Sequence, residues 1–162
     1  MQKYLLDNFK YIDGQLIRII KSGKANIGDI LGSFSSGYLI ANFRTKMYKV
    51  HRLIWIYHYG DIALNMMIDH IDRDRMNNRI ENLRLVSSQE NNFNRKCKGY
   101  SFDKATGKYR AYIAIGSKRI NFKRVDTENE ARAIYIVAKL KYHKIGGYND
   151  WKRIFRKNKK NT

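Results

Sequence analysis

Charge is what most limits how this chain can fold: 33 lysines and arginines stand against 14 aspartates and glutamates, a formal +19 over 162 residues. Like charges in such excess repel one another in any compact state. The chain therefore needs a real apolar core, and a polyanionic partner that makes use of the surplus. The core is available, because 43% of the residues are hydrophobic and 13% aromatic, too many for a disordered chain. An anionic membrane surface is a weaker partner than nucleic acid. The longest apolar stretches, such as Leu53-Ile54-Trp55-Ile56, are far too short to span a bilayer. Lys3, Asp7 and Lys10 also interrupt any reading of the N-terminus as a signal peptide. The single cysteine, Cys97, rules out an intrachain disulfide and a Cys-rich zinc site.

Four stretches separate along the chain. Residues 1–50 alternate apolar and polar positions between turns at Lys21-Ser22-Gly23 and Ser35-Ser36-Gly37, with strands expected at Leu16–Ile20 and Tyr38–Phe43. The run Val50–Tyr59 reads as a strand end passing into a helix that stops at Gly60. Residues 66–96 hold an Asn-rich loop and then a short helix, whose start is marked by Ser87 and Glu90 at capping-box spacing. Residues 98–124 read as three short strands, Gly99–Asp103, Tyr109–Ile115 and Lys118–Arg124, followed by an amphipathic helix from about Glu128 to Lys144 that Gly146-Gly147 ends. The tail from Trp151 is basic and lacks acids.

The chemistry concentrates between Met67 and Asn82. Cleaving a phosphodiester requires a base to take a proton from the attacking water, and positive charge for the phosphate and the leaving oxygen. A histidine near its ordinary pKa suits the first task, and a divalent cation on oxygen ligands the second. Asp69 and His70 are adjacent, and neighbouring strand residues point to opposite faces. Both can serve one site only where the strand gives way to a loop, which Asp72, Arg73, Asp74, Asn77 and Asn78 supply.

His70, the run Asn77-Asn78-Arg79-Ile80-Glu81-Asn82-Leu83 and the upstream His51-Arg52-Leu53 resemble the HNH endonuclease family, in its phage-type, homing-endonuclease-like branch. The resemblance covers about residues 1–96. It implies a β-hairpin followed by a helix, the ββα-metal motif, with His70 as general base, Asp69 as metal ligand and Asn82 holding the histidine through the hairpin. The third family position falls on Asn91, a departure from His-Asn-His toward His-Asn-Asn, with Asn92 and Asn94 as neighbouring candidates. Asp and Asn offer only oxygen, which implies one Mg²⁺ or Mn²⁺ per site. His51 and Asn78 are expected as structural support.

Residues 94–124 carry ten lysines and arginines and one acid, Asp103. Alternation puts Lys108, Arg110 and Tyr112 of the middle strand on one face, and Arg119, Asn121 and Lys123 of the third opposite Ile120 and Phe122. A narrow antiparallel sheet with a basic face can enter the major groove. Gly99-Tyr100, the run from Gly107 to Ile113, the run from Phe122 to Ala133 and Tyr142-His143-Lys144 resemble the ethylene-response-factor (APETALA-type) DNA-binding domain. By that resemblance Arg110, Tyr112, Arg119 and Asn121 contact DNA, with Lys98, Lys108 and Lys123 beside them. The family often has Trp where this chain has Asn121.

The expectation is thus an α+β protein: a ββα-metal HNH core with a β-rich N-terminal part (1–96), a three-stranded antiparallel sheet packed on one helix (97–150), and a basic tail (151–162). Such a protein would be a metal-dependent endonuclease of double-stranded DNA, nicking as a monomer or cutting both strands as a homodimer. It would need no membrane and no other protein, and would work in the cytoplasm, that of the host cell if phage-encoded. The rival readings are a non-catalytic DNA-binding regulator on an inactive HNH scaffold and, more weakly, a ribonucleoprotein component held by charge.

Overall fold

Between residues 50 and 60 the apolar side chains come too densely for a one-sided helix, and the chain buries that segment almost all round. The computed structural model describes residues 1–43 and 46–144. In it α2 (Val50–Tyr59) buries Val50, His51, Leu53, Ile54, Trp55 and Ile56, and ends on Gly60 at φ 84°. Burying each large apolar side chain is worth roughly 1.5–3 kcal/mol, so this helix is the main source of cohesion in the first of two units, Met1–Ser87.

Around α2 pack α1 (Gln2–Asn8) and three small antiparallel sheets. The first is a hairpin of β1 (Phe9–Ile12) and β2 (Gln15–Arg18), closed by Asp13 and Gly14, both at positive φ. Two consecutive left-handed residues match the right-handed twist of the flanking strands. The second sheet joins β3 (Ser33–Ser35), β4 (Tyr38–Phe43) and β5 (Lys46–Lys49) in that order, with Ser36 and Gly37 making a similar turn. Its β4 buries Ala41 and Phe43, so Tyr38, Ile40 and Asn42 lie on the opposite face. The third is a hairpin of β6 (Met66–His70) and β7 (Leu83–Ser87), whose connection includes a single 3-10 turn at Ile80–Asn82.

The second unit begins at Ser88. It opens with α3 (Ser88–Phe93), then β8 (Tyr100–Asp103), β9 (Lys108–Ile115) and β10 (Lys118–Val125), a three-stranded antiparallel sheet with β9 in the middle. Helix α4 (Glu128–Tyr142) starts with a capping box in which Thr127 and Glu130 each satisfy the other's backbone N–H. Its Ala131 and Tyr135 pack with Tyr100, Ala111 and Val125 of the sheet. Gly99, at φ 75°, lies directly over Tyr135; a Cβ there would come 2.1 Å from the ring.

One difference from strict alternation matters. Asn121 pairs with Tyr112 but Arg124 pairs with Arg110, so β10 has an extra residue in between. This bulge brings Arg124 onto the face of Arg110 and Tyr112. Helix α4 ends at Tyr142, with His143 as its C-cap, before the expected stop at Gly146-Gly147; those glycines, the last residues of the 97–150 segment and the basic tail 151–162 lie outside the described residues. No helix among the described residues is long and apolar enough to cross a membrane.

Candidate active site

The β6–β7 hairpin pairs His70 with Leu83 and Asp69 with Arg84. His70 is thus the last residue of its strand, and it turns inward: its side chain is 5% exposed. Its Nε2 lies 2.9 Å from Asn78 Oδ1, and Asn78 is 2% exposed. An amide oxygen can only accept, so Nε2 donates, and the neutral ring carries its basic lone pair on Nδ1. The His51 ring, from the first turn of α2, meets the His70 ring edge-on at 4.8 Å. Burial, then the charges of His70, Lys49 and Arg52, push the pKa of His51 down to about 3. His51 is therefore a neutral aromatic wall at ordinary pH rather than a second base.

Asn82 fastens the loop that follows His70. Its Nδ2 donates to Asp72 Oδ1 (2.9 Å) and to the Asn77 carbonyl (2.8 Å), while its Oδ1 accepts from the Asp72 N–H (3.1 Å). The Asn82 carbonyl accepts from Ile71 N–H at 2.9 Å. Asp72 also accepts from Asn77 Nδ2 (2.7 Å) and from Asp74 N–H (2.8 Å). Partial desolvation works against ionising Asp72, but the hydrogen bonds from Asn82 and Asn77 outweigh it and lower its pKa. The carboxylate is thus spent on shaping the loop.

The first hairpin buttresses this loop from below. Ile80 N–H donates to the Tyr11 hydroxyl at 2.9 Å. At Gly14 a Cβ would come 2.9 Å from Arg79 N and 3.0 Å from the Asn78 carbonyl carbon. Only glycine lets the β1–β2 turn approach the Asn78–Arg79 backbone this closely at φ 85°.

Asp69 stands on the other side of β6. Its Oδ2 accepts from Arg84 Nε (3.0 Å) and Nη2 (2.7 Å). Among the described residues no group of three His, Cys, Asp or Glu side chains is placed to hold a metal ion. Asn91 lies half-buried in α3, within the second unit.

The expected basic sheet face is present in that unit. The Arg119 guanidinium sits 3.6 Å above the Tyr112 ring, and Arg119, Asn121 and Lys123 are exposed. Arg124 pairs with Asp103 at 3.1 Å, and Lys108 with Asp126 at 2.9 Å. Lys98 is exposed just before β8.

Residues 48–93, which contain α2, the β6–β7 hairpin and α3, match the family model for HNH endonucleases. An uncharacterized HNH endonuclease of Acanthamoeba polyphaga mimivirus is 33% identical over 107 residues, 62% of this chain and 55% of that protein. YosQ, an SPbeta prophage-derived protein of Bacillus subtilis (strain 168) named for an HNH homing endonuclease, is 40% identical over 55 residues, 34% of this chain and 32% of its own. Protein 3.8 of Escherichia phage T7 is 31% identical over 98 residues, which take in 56% of this chain and 81% of the phage protein. Residues 48–93 are therefore an HNH endonuclease segment. The chain spans about half the length of the mimivirus HNH endonuclease and a third of YosQ. No solved structure matches it.

Within the HNH segment, Asn78, expected only as general structural support, is the direct partner of His70. Arg84 is exposed by no motif, but once His70 is set opposite Leu83 the hairpin register puts it opposite Asp69. Tyr11 and Gly14 carry no local signal at all, since they meet the site from nearly seventy residues away.

Proposed function

We propose that the chain is a DNA endonuclease in which His70 takes the proton from an attacking water. The observation that carries this reading is the buried His70–Asn78 hydrogen bond inside the HNH segment, which fixes the ring and directs the basic nitrogen, Nδ1, away from its support. As the water oxygen bonds to phosphorus, its proton passes to Nδ1, the bond from phosphorus to the 3′ oxygen breaks, and that oxygen is protonated from solvent. Asn82 and Asp72 keep the loop after His70 in one shape, and His51 excludes water behind the ring.

The donor chemistry fits a hard cation. Asp69 and an amide oxygen, that of Asn91 by the family pattern, would hold Mg²⁺ or Mn²⁺, with water and phosphate completing the shell. The bound ion would supply positive charge to the phosphate and to the leaving oxygen. The sheet β8–β9–β10 is the proposed DNA-holding module, of the APETALA type. Arg110, Tyr112, Arg119 and Asn121 are the residues proposed to reach the groove, flanked by Lys98, Lys108 and Lys123. The substrate is double-stranded DNA, and one centre per chain makes a nick the expected product.

One observation favours the rival reading of a non-catalytic DNA-binding protein: the Asp69 carboxylate is already engaged by Arg84. Supercoiled plasmid separates the two. The endonuclease converts it to open circles with Mg²⁺, stops with chelator, and stops when His70→Ala replaces the base. Tight DNA binding with no metal-dependent nicking by the unmutated protein, across diverse sequences, would establish the rival.

A further inference from the structure

Beside the candidate centre, two cations share one aromatic ring. Lys49 Nζ lies 3.6 Å from the centroid of Tyr38, and the Arg75 guanidinium carbon 4.9 Å from it. They arrive from different elements: Lys49 ends β5, Arg75 belongs to the β6–β7 loop, and Tyr38 opens β4. Lys49 is the direct strand partner of Ile40, which puts its side chain on the face of Tyr38. Both cations are exposed. Among the described residues neither forms an ion pair with a carboxylate.

The nearest acids in sequence, Asp72 and Asp74, are turned to the loop itself: Asp72 accepts from Asn82 and Asn77, and Asp74 from Met76 N–H. An exposed cation over a ring gains only about 0.5–1 kcal/mol, so the ring organises these two side chains without neutralising them. Both are held against one ring, which restricts their rotamers and reduces the entropy lost when an anion binds.

Tyr38 connects this pair to the centre through aromatic contacts, 5.6 Å to His51 and then 4.8 Å from His51 to His70. A DNA strand carries one phosphate for each ~3.4 Å of duplex axis. The pair therefore lies within a few consecutive phosphates of a bond held at His70.

We propose that Lys49, Tyr38 and Arg75 form a binding site for the DNA phosphodiester backbone, which seats the strand next to the bond to be cut. The site rests on the reading of the chain as a DNA endonuclease, and it gives the first unit its own grip on the substrate. Tyr38 acts as the platform and the two cations as the contacts.

The test measures binding of the full chain to a 30-base-pair duplex over a range of salt, together with plasmid nicking. Lys49→Gln with Arg75→Gln should make the log–log salt slope shallower by about 1.8, near 0.9 for each lost phosphate contact. It should also raise the DNA concentration needed for half-maximal nicking more than tenfold, while the single-turnover rate at saturating DNA changes less than about threefold. Tyr38→Phe should keep the parent slope, and Tyr38→Leu should lose part of it. Lys21→Gln with Lys24→Gln, two exposed cations on the β2–β3 connection, is the control for bulk charge. A salt slope left unchanged by the Lys49/Arg75 pair, or lowered no more than by the control pair, overturns the site while leaving the endonuclease reading intact. Failure of the unmutated protein to bind DNA overturns both.

Discussion

His70 donates from Nε2 to Asn78 Oδ1 at 2.9 Å, and neither side chain reaches solvent to any extent. Replacing Asn78 by Ala leaves a buried imidazole N–H without its acceptor, at a cost of about 1–3 kcal/mol. The ring also loses its orientation, and a misplaced reacting group loses on the order of 10²-fold in rate. Asn78→Ala should therefore lower both the urea midpoint and the nicking rate. Asn78→Asp keeps an acceptor for Nε2, so it should retain more of the stability and more of the nicking rate than Asn78→Ala. An Asn78→Ala protein that nicks as fast as the parent would mean that this hydrogen bond does not position the reacting group.

Gly14 tests whether the first hairpin sets the position of Asn78. An added methyl would meet Arg79 N at 2.9 Å and the Asn78 carbonyl carbon at 3.0 Å, and the left-handed backbone is itself unfavourable for Ala. Gly14→Ala should cost about 1–3 kcal/mol in chemical denaturation and depress nicking further than Tyr11→Phe. The latter removes only the acceptor of Ile80 N–H, worth about 1 kcal/mol. Full nicking activity in a folded Gly14→Ala protein would show that the loop holds Asn78 without help.

Gly14 and Tyr11 mark the limit of what local sequence patterning records. Helix α2 and the three strands before α4 follow from alternation, turn chemistry and a glycine stop, all of which are local, whereas a β-hairpin ahead of α3 is implied only by the HNH resemblance. His70, Asn82 and Asp69 stand out in the sequence because a compact motif carries them. The contact between Gly14 and Arg79 is a property of two turns packing together, and no periodicity records it. Arg124 was hidden for another reason: a one-residue bulge changes strand phase, and the sequence around Phe122-Lys123 has no Gly or Asn to announce it. The short α1 at Gln2–Asn8 interrupts an otherwise β-patterned stretch without a sequence signal of its own, because seven residues barely complete two turns and only Leu5 is buried.

His51 makes stability depend on pH. Burial holds its folded pKa at about 3, below the ordinary 6.5. Between those values the unfolded chain takes up a proton that the folded protein refuses. The stabilisation is therefore complete above pH ~6.5 and is lost progressively as pH falls toward 3, at up to ~1.4 kcal/mol per pH unit. Urea midpoints measured from pH 7 to pH 4 should fall more steeply for the unmutated protein than for His51→Gln. Parallel curves would show that His51 takes up its proton over the same pH range in the folded and unfolded chain.

Arg84 bears on the metal requirement. Its guanidinium occupies Asp69 Oδ2, the carboxylate proposed as a cation ligand, so the two positive charges compete for one group. Arg84→Ala removes the competitor, and the Mg²⁺ concentration for half-maximal nicking should drop several-fold. Asp69→Ala should raise it beyond a practical range with Arg84 present or absent. The alternative is that Arg84 orients Asp69 for the ion, and then Arg84→Ala would raise the Mg²⁺ requirement instead. The direction of that single shift decides whether the ion pair guards the metal position or builds it.

Asp103 is the one acid among the ten cations of residues 94–124, and it is committed to Arg124 at 3.1 Å across the face of the sheet. If that face meets DNA, Asp103 repels phosphate and occupies a guanidinium that the bulge has aligned with Arg110. Asp103→Asn should then tighten binding to duplex DNA by a few-fold and steepen the salt slope by about one phosphate contact, near 0.9. Arg110→Ala and Arg119→Ala should weaken binding by about 1–3 kcal/mol if they read bases, with unchanged melting temperature. An Asp103→Asn protein that binds no tighter, alongside Arg110→Ala and Arg119→Ala proteins that bind as well as the parent, would move the DNA surface off this sheet and onto the first unit.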